Sequence, residues 1–155
     1  MKEVMFKMKF IRYNANPKSK KTGDCVIRAI CTALNKTWED TYREMLEVAI
    51  KYGYAISTKD NYTKYLKQLG YEKQKMPKRC TGKRYKIKEF IDELCDKNKT
   101  YIIDMANHVT VVSKNVLYDI WDCSNKSVCN YWIVDGTFTK ESNFEIKKRK
   151  RRVEL

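Results

Sequence analysis

The hydrophobic pattern changes its period once along the chain, near Lys99, and this change constrains the fold more than any other feature. Before it, apolar residues recur at helical spacing. After it, short runs rich in Val, Ile, Tyr and Trp follow one another at the length of strands. Helices that precede strands in separate blocks are typical of α+β domains. We therefore predict an α+β fold in which an N-terminal helical layer packs on a C-terminal antiparallel sheet.

Local signals divide the chain into elements. The apolar run CVIRAICTAL begins a helix at Cys25, with Thr22 or Asp24 as the candidate N-cap, and Gly53 ends the next helix. The predicted helices cover residues 25–34, 37–52, 57–70 and 86–96. The predicted strands cover residues 4–13, 101–105, 108–113, 116–122, 127–135 and 144–146. The Lys114-Asn115 step between two strands is a predicted hairpin turn, since Asn tolerates a positive φ.

Length and composition predict a single domain with a charged tail. The chain has 155 residues, of which 43% are hydrophobic, and its net charge is +14. We assign residues 1–146 to the domain and the basic run that follows, 147–155, to a tail. No apolar run reaches the roughly 18 residues that a membrane span needs, and the N-terminus lacks the apolar segment of a signal peptide. These features predict a cytoplasmic protein with no membrane partner.

The cysteines are predicted to be free thiols rather than disulfides or metal ligands. The chain has 6 cysteines and 1 histidine, and no export signal places it in an oxidising compartment. The nearest cysteine pairs, Cys25 with Cys31 and Cys123 with Cys129, are each separated by six positions, which fits a structural zinc site poorly. We expect no metal and no cofactor.

His108 is a candidate catalytic residue because acids follow it on the next predicted strand. A carboxylate beside an imidazole fixes its tautomer and stabilises its cation. Which acid faces His108 depends on the length of the intervening turn. An even-length turn places Asp119 on the face of His108, one diagonal away, whereas an odd-length turn places Asp122 opposite it. The sequence leaves both open.

Cys25 is the candidate nucleophile. It follows Gly23-Asp24 where a loop becomes an apolar helix, so its thiol meets unpaired backbone N–H groups and the positive end of the helix dipole. Both favour the thiolate. Asp24 opposes this by its charge, so we expect its side chain to point away, as the cap.

The segments TGDCVIRAI (22–30), NHVTVV (107–112) and LYDIWDCSN (117–125) resemble the papain-like cysteine peptidase superfamily. A helix-borne Cys, followed by a sheet that carries His and then Asp or Asn, is the chain order of that superfamily, and the resemblance covers roughly residues 14–135. The same strings resemble small proteins of bacteriophages and mobile elements in which GDC-x-x-RAI, a strand with His, and YDxWD recur.

The resemblance implies a minimal papain-like core and a role for each residue. Cys25 resembles the nucleophile, His108 the base and Asp122 the orienting acid, because Asp122 ends its strand as the third residue of the family does. No Gln precedes Cys25, so Asn16 or Asn14 is the side-chain amide expected in the oxyanion hole. The implied activity is hydrolysis of a peptide or amide through an acyl-thioester, on a peptide or protein substrate that the basic surface predicts to be acidic.

Two other functions remain open at this stage. The run KKRKRR and the lysines of residues 18–21 favour nonspecific affinity for nucleic acid. Alternatively, a non-catalytic papain-like scaffold would bind a host or bacterial protein. Selective labelling of Cys25 by a thiol reagent indicates the enzyme, salt-sensitive polyanion binding indicates the second class, and a scaffold shows neither. The oligomeric state is not predicted.

Overall fold

The computed structural model describes residues 7–134, and within this range the chain forms four helices and a six-stranded sheet, an α+β fold. The helices are α1 (Cys25–Ala33), α2 (Trp38–Tyr52), α3 (Lys59–Gln68) and α4 (Ile87–Glu93). The strands are β1 (Lys9–Arg12), β2 (Lys73–Gln74), β3 (Thr100–Met105), β4 (His108–Ser113), β5 (Val116–Asp119) and β6 (Tyr131–Val134). The predicted strand 144–146 and the tail 147–155 lie outside the described residues.

The sheet is mixed, which corrects the prediction of an antiparallel sheet. Its strand order is β1-β5-β4-β3-β6-β2, and all neighbours are antiparallel except β1 and β5, which are parallel. The strands β3, β4 and β5 follow one another through tight turns, which require antiparallel pairing. No turn joins β1 to β5, since all four helices lie between them in the chain. Their relative direction is therefore set by tertiary packing.

The helices lie on both faces of the sheet, which corrects the prediction of one helical layer. The helices α1, α2 and α3 pack with Ile102, Val109 and Trp132 on one face. Helix α4 places its apolar side on a second cluster with Tyr101 and Ile103 on the other face. Neighbouring residues of β3 thus enter different cores, as the alternation of side chains along a strand requires. A strand buried on both faces needs helices on both sides.

Helix α2 begins and ends as its sequence predicts, whereas the N-cap of α3 lies one residue after the predicted start of that helix at residue 57. The Thr37 side chain accepts a hydrogen bond from the backbone N–H of Asp40 at the start of α2, and Gly53 ends this helix with a left-handed φ of 76°. Thr58 caps α3 in the same manner by accepting from the N–H of Asn61.

Two tight hairpins place the end of β3, β4 and β5 beside one another. Met105 pairs with His108 across a turn whose second residue, Asn107, has a φ of 58°. Lys114 and Asn115, with φ of 50° and 63°, form the predicted turn between Ser113 and Val116. Positive φ at both central positions is the geometry of a type I′ turn. These two-residue turns therefore fix the pairing of β4, which begins at His108, with β3 and β5.

A search of residues 7–134 for a helix with the length and apolar character to cross a membrane found none.

Candidate active site

Cys25 is the first residue of α1, and its half-buried thiol contacts β4. The pKa of this thiol responds to hydrogen bonding with His108 and with the backbone of Val109. Burial acts to raise the pKa of Cys25, but these two hydrogen bonds and the positive charges of His108 and Arg28 outweigh it. The net effect is a pKa below the ordinary value, which favours the nucleophilic thiolate.

His108 begins β4 and joins the thiol to a buried carboxylate. Its Nε2 lies 2.6 Å from Oδ2 of Asp119, the last residue of β5. Burial acts to lower the pKa of His108, but hydrogen bonds to Asp119, Cys123 and Cys25 and the charge of Asp119 raise it to about 11. The imidazole is therefore protonated at neutral pH beside a thiol that ionises readily. The pair can exist as thiolate and imidazolium.

Asp119 is 5% exposed and is held by several donors. Its Oδ1 accepts a 2.7 Å hydrogen bond from the N–H of Ile120. Burial acts to raise the pKa of Asp119, whereas His108, the Thr110 side chain and the Ile120 N–H lower it below the ordinary value. The carboxylate is thus ionised and fixed against the imidazole.

Asp122, which the resemblance assigns as the orienting acid, does not lie against His108. It is exposed, and its Oδ1 accepts a 3.0 Å hydrogen bond from the N–H of Ser124. The turn at Lys114-Asn115 has even length, so residues 119 and 121 share the face of His108, and residue 122 does not. Trp121 accordingly meets His108, with ring centroids 5.0 Å apart.

Asn14 and Asn16 are engaged within their own loop rather than at the thiol. Asn14 donates from Nδ2 to the carbonyl of Lys20, and its Oδ1 accepts from the N–H of Asn16. The buried Asn16 donates from Nδ2 to Asp24, and its Oδ1 accepts from the N–H of Lys18. These local bonds are typical of asparagines in turns. The oxyanion role expected of their amides is therefore not supported.

Asp24 points away from the thiol as expected, but it is not a side-chain cap. It occupies the N-cap position of α1 without the capping hydrogen bond. Its carboxylate instead forms a short ion pair with Arg28 and accepts from the Trp38 indole N–H at 2.9 Å. Arg28 also lies 3.9 Å from Asp119. One buried guanidinium therefore links Asp24, the residue before Cys25, to Asp119, the acid that contacts His108.

Arg28, Cys123 and Trp121 were not identified from the sequence as site residues. Arg28 carried a usable signal, because it is a charged residue on an otherwise apolar helix, four positions after Asp24. Cys123 is fully buried and donates from Sγ to Asp119 Oδ2 at 3.7 Å. No spacing rule distinguishes it from the other cysteines.

His108, Asp119 and Cys123 form a group of three potential metal ligands whose donor atoms lie within 4.8 Å of one another. Two ligands of one tetrahedral Zn²⁺, with bonds of about 2.0–2.1 Å, lie about 3.3 Å apart. The 2.6 Å between His108 Nε2 and Asp119 Oδ2 is shorter and fits a direct hydrogen bond. The observed arrangement thus suits proton transfer better than metal binding.

Cys25 and His108 open into a cleft of about 540 Å³ between α1, the segment before α3, and the turn from β3 to β4. Lys59 and Asp104 form a 2.8 Å ion pair at its wall. The thiol of Cys25 therefore borders open space.

Comparison of this chain with protein-family models, with curated proteins and with solved structures found no match.

Proposed function

We propose that the protein is a papain-like thiol hydrolase that cleaves a peptide or amide bond through a Cys25–His108–Asp119 triad. The observation that supports this is the continuous chain of contacts from the thiol, through one imidazole, to a buried carboxylate. A nucleophile, a base, and a third group that orients the base are the parts of such a site. The open cleft at the thiol provides room for a substrate.

In the first half-reaction, the Cys25 thiolate attacks the carbonyl carbon, and the carbonyl oxygen takes up the negative charge. The backbone N–H of Cys25, at the first position of α1, has no acceptor within the helix and can donate to this oxyanion. When the tetrahedral intermediate collapses, the C–N bond breaks and the His108 imidazolium gives its proton to the departing amine. An acyl-thioester on Cys25 remains.

In the second half-reaction, the neutral His108 removes a proton from water, and the hydroxide attacks the thioester. The C–S bond breaks, the carboxylic acid leaves, and the thiolate–imidazolium pair is restored. Asp119 keeps Nε2 of the ring occupied throughout and balances the imidazolium charge.

The test is selective alkylation, which needs no knowledge of the substrate. Iodoacetamide should modify Cys25 before the other five thiols at pH 6–7, as read by peptide mass spectrometry, with the exposed Cys80 as internal reference. His108→Ala should abolish this preference, since the imidazolium stabilises the thiolate. Equal rates at Cys25 and Cys80 in the unmodified protein would contradict the proposal.

A further inference from the structure

A second cleft adjoins the one that contains the thiol. It has a volume of about 700 Å³ and lies between residues 16–24 and the start of α2. Gly23 and Ser57 line both clefts. The two spaces therefore meet at Gly23 and Ser57, which lie two positions before Cys25 and two before the start of α3. A chain that lies in this second cleft, the lysine-rimmed groove, would enter the cleft of the thiol by passing Gly23 and Ser57.

The floor of the lysine-rimmed groove is apolar and held in place. The rings of Trp38 and Tyr42 stack with centroids 5.0 Å apart and an angle of 30°. Ile27 and Ile56 complete this floor. The indole N–H of Trp38 donates to the buried Asp24, which fixes the ring before any ligand arrives. Rigid aromatic surface of this kind binds aromatic or aliphatic side chains at low entropic cost.

The rim of the same groove is cationic. Lys18, Lys20 and Lys21 line it and are exposed, and Glu39 is the acidic residue that lines it with them at the surface. The carboxylate of Asp24 lies beneath and is paired with Arg28. The local charge thus favours an anionic ligand, in keeping with the net charge of +14.

We infer that the lysine-rimmed groove binds an acidic peptide segment that carries an aromatic or large aliphatic side chain, and presents that segment to Cys25. This inference rests on the proposed function for the choice of a peptide, and it names the substrate class. The apolar floor and the carboxylate of Glu39 suit peptide side chains better than a phosphate backbone, which would place its charges beside Glu39. A peptide offers separate apolar and acidic side chains on one chain, which match an apolar floor and a cationic rim.

Binding is measured with the Cys25→Ala protein, so that no cleavage interferes. The probe is a short fluorescein-labelled peptide of alternating Glu and Phe, followed by fluorescence anisotropy. We expect saturable binding that weakens with salt, and no binding of the Lys–Phe peptide. A Glu–Ser peptide should bind about tenfold or more weakly, since its side chains leave the aromatic floor unfilled. Equal binding of the Glu–Phe and Glu–Ser peptides would overturn the inference, as would displacement by a single-stranded oligonucleotide at lower concentration.

Matched charge variants locate the site. Reversal of the three rim lysines (Lys18→Glu, Lys20→Glu, Lys21→Glu) should weaken peptide binding by about tenfold or more. The control reverses three exposed lysines between β2 and α4 (Lys75→Glu, Lys78→Glu, Lys83→Glu), which changes the net charge by the same amount. Equal losses in the two variants would show a response to overall charge and would overturn the assignment to this groove.

A reactive peptide tests whether the groove leads to Cys25. A chloroacetyl group on the end of the Glu–Phe peptide should alkylate Cys25 of the unmodified protein faster than chloroacetamide does, and the acceleration should disappear in the rim variant. Binding without acceleration would contradict presentation to the thiol. Failure of the proposed function is distinguishable, because the iodoacetamide preference for Cys25 is then absent whether or not the peptide binds the Cys25→Ala protein.

Discussion

His108 Nε2 and Asp119 Oδ2 lie 2.6 Å apart, and this contact determines how the imidazole meets the thiol. Because Nε2 is occupied by the carboxylate, Nδ1 is the ring nitrogen left for Cys25. The carboxylate also supplies the charge that raises the pKa of His108. The same relationship therefore affects both the orientation of the imidazole and the ionisation of the Cys25 thiol, and it is the first target for mutation.

Asp119→Asn should reduce the rate of Cys25 alkylation at pH 6–7 strongly, and turnover by about 10²- to 10⁴-fold once a substrate is known. The amide cannot balance the imidazolium, so the pKa of His108 should fall, and less thiolate should be present at this pH. Asp122→Asn is the matched control, because its carboxylate is exposed and accepts from the N–H of Ser124. A larger loss from Asp122→Asn would show that Asp122 orients the ring.

The pH dependence of alkylation follows from the direction of two pKa shifts. The pKa of Cys25 is lowered, so the thiolate and its reactivity should persist below the ordinary thiol pKa of about 8.5 and decline only as the pH falls through the lowered value. The pKa of His108 is raised, so the imidazolium remains throughout this range. His108→Ala should move the midpoint of the rate profile to higher pH. An inflection near 8.5 in the unmodified protein would contradict the ion pair.

Arg28→Met should destabilise the domain by about 3–5 kcal/mol in urea unfolding, since it leaves the buried carboxylates of Asp24 and Asp119 without their shared cation. Arg28→Lys keeps the charge but loses the planar fork, so its cost should be smaller. A loss below about 1 kcal/mol for Arg28→Met would show that the guanidinium does not stabilise this network.

Gly53→Ala should reduce the free energy of unfolding by about 1 kcal/mol, because an L residue is strained at a φ of 76°. An added Cβ would meet no atom within 4 Å, so this cost is backbone strain alone. Gly23→Ala is the control: its surroundings are equally open, and its φ lies outside the left-handed region. Equal costs for the two variants would contradict the argument from φ.

Hydrophobic periodicity predicted the elements well where one local pattern governs them. The four helices lie before the change of period near Lys99, and β3, β4 and β5 lie after it, as the hydrophobic pattern predicts. The caps at Thr37 and Gly53 are local interactions between neighbouring residues. The face of each helix was not predictable in the same manner. The apolar side of α4 shows that this helix packs against other residues, but it does not show on which face of the sheet the helix lies.

The amino-acid sequence by itself determined the α+β class and indicated Cys25 and His108 as separate candidates, because a helix start, a strand start and the rarity of histidine are properties of short segments. Only the tertiary structure decided between Asp119 and Asp122, since a change of one residue in turn length exchanges the faces of β5. It also decided the direction of β1, the side occupied by α4, and the positions of Arg28 and Cys123 beside Asp119. These depend on contacts between segments far apart in the chain, which no local pattern encodes.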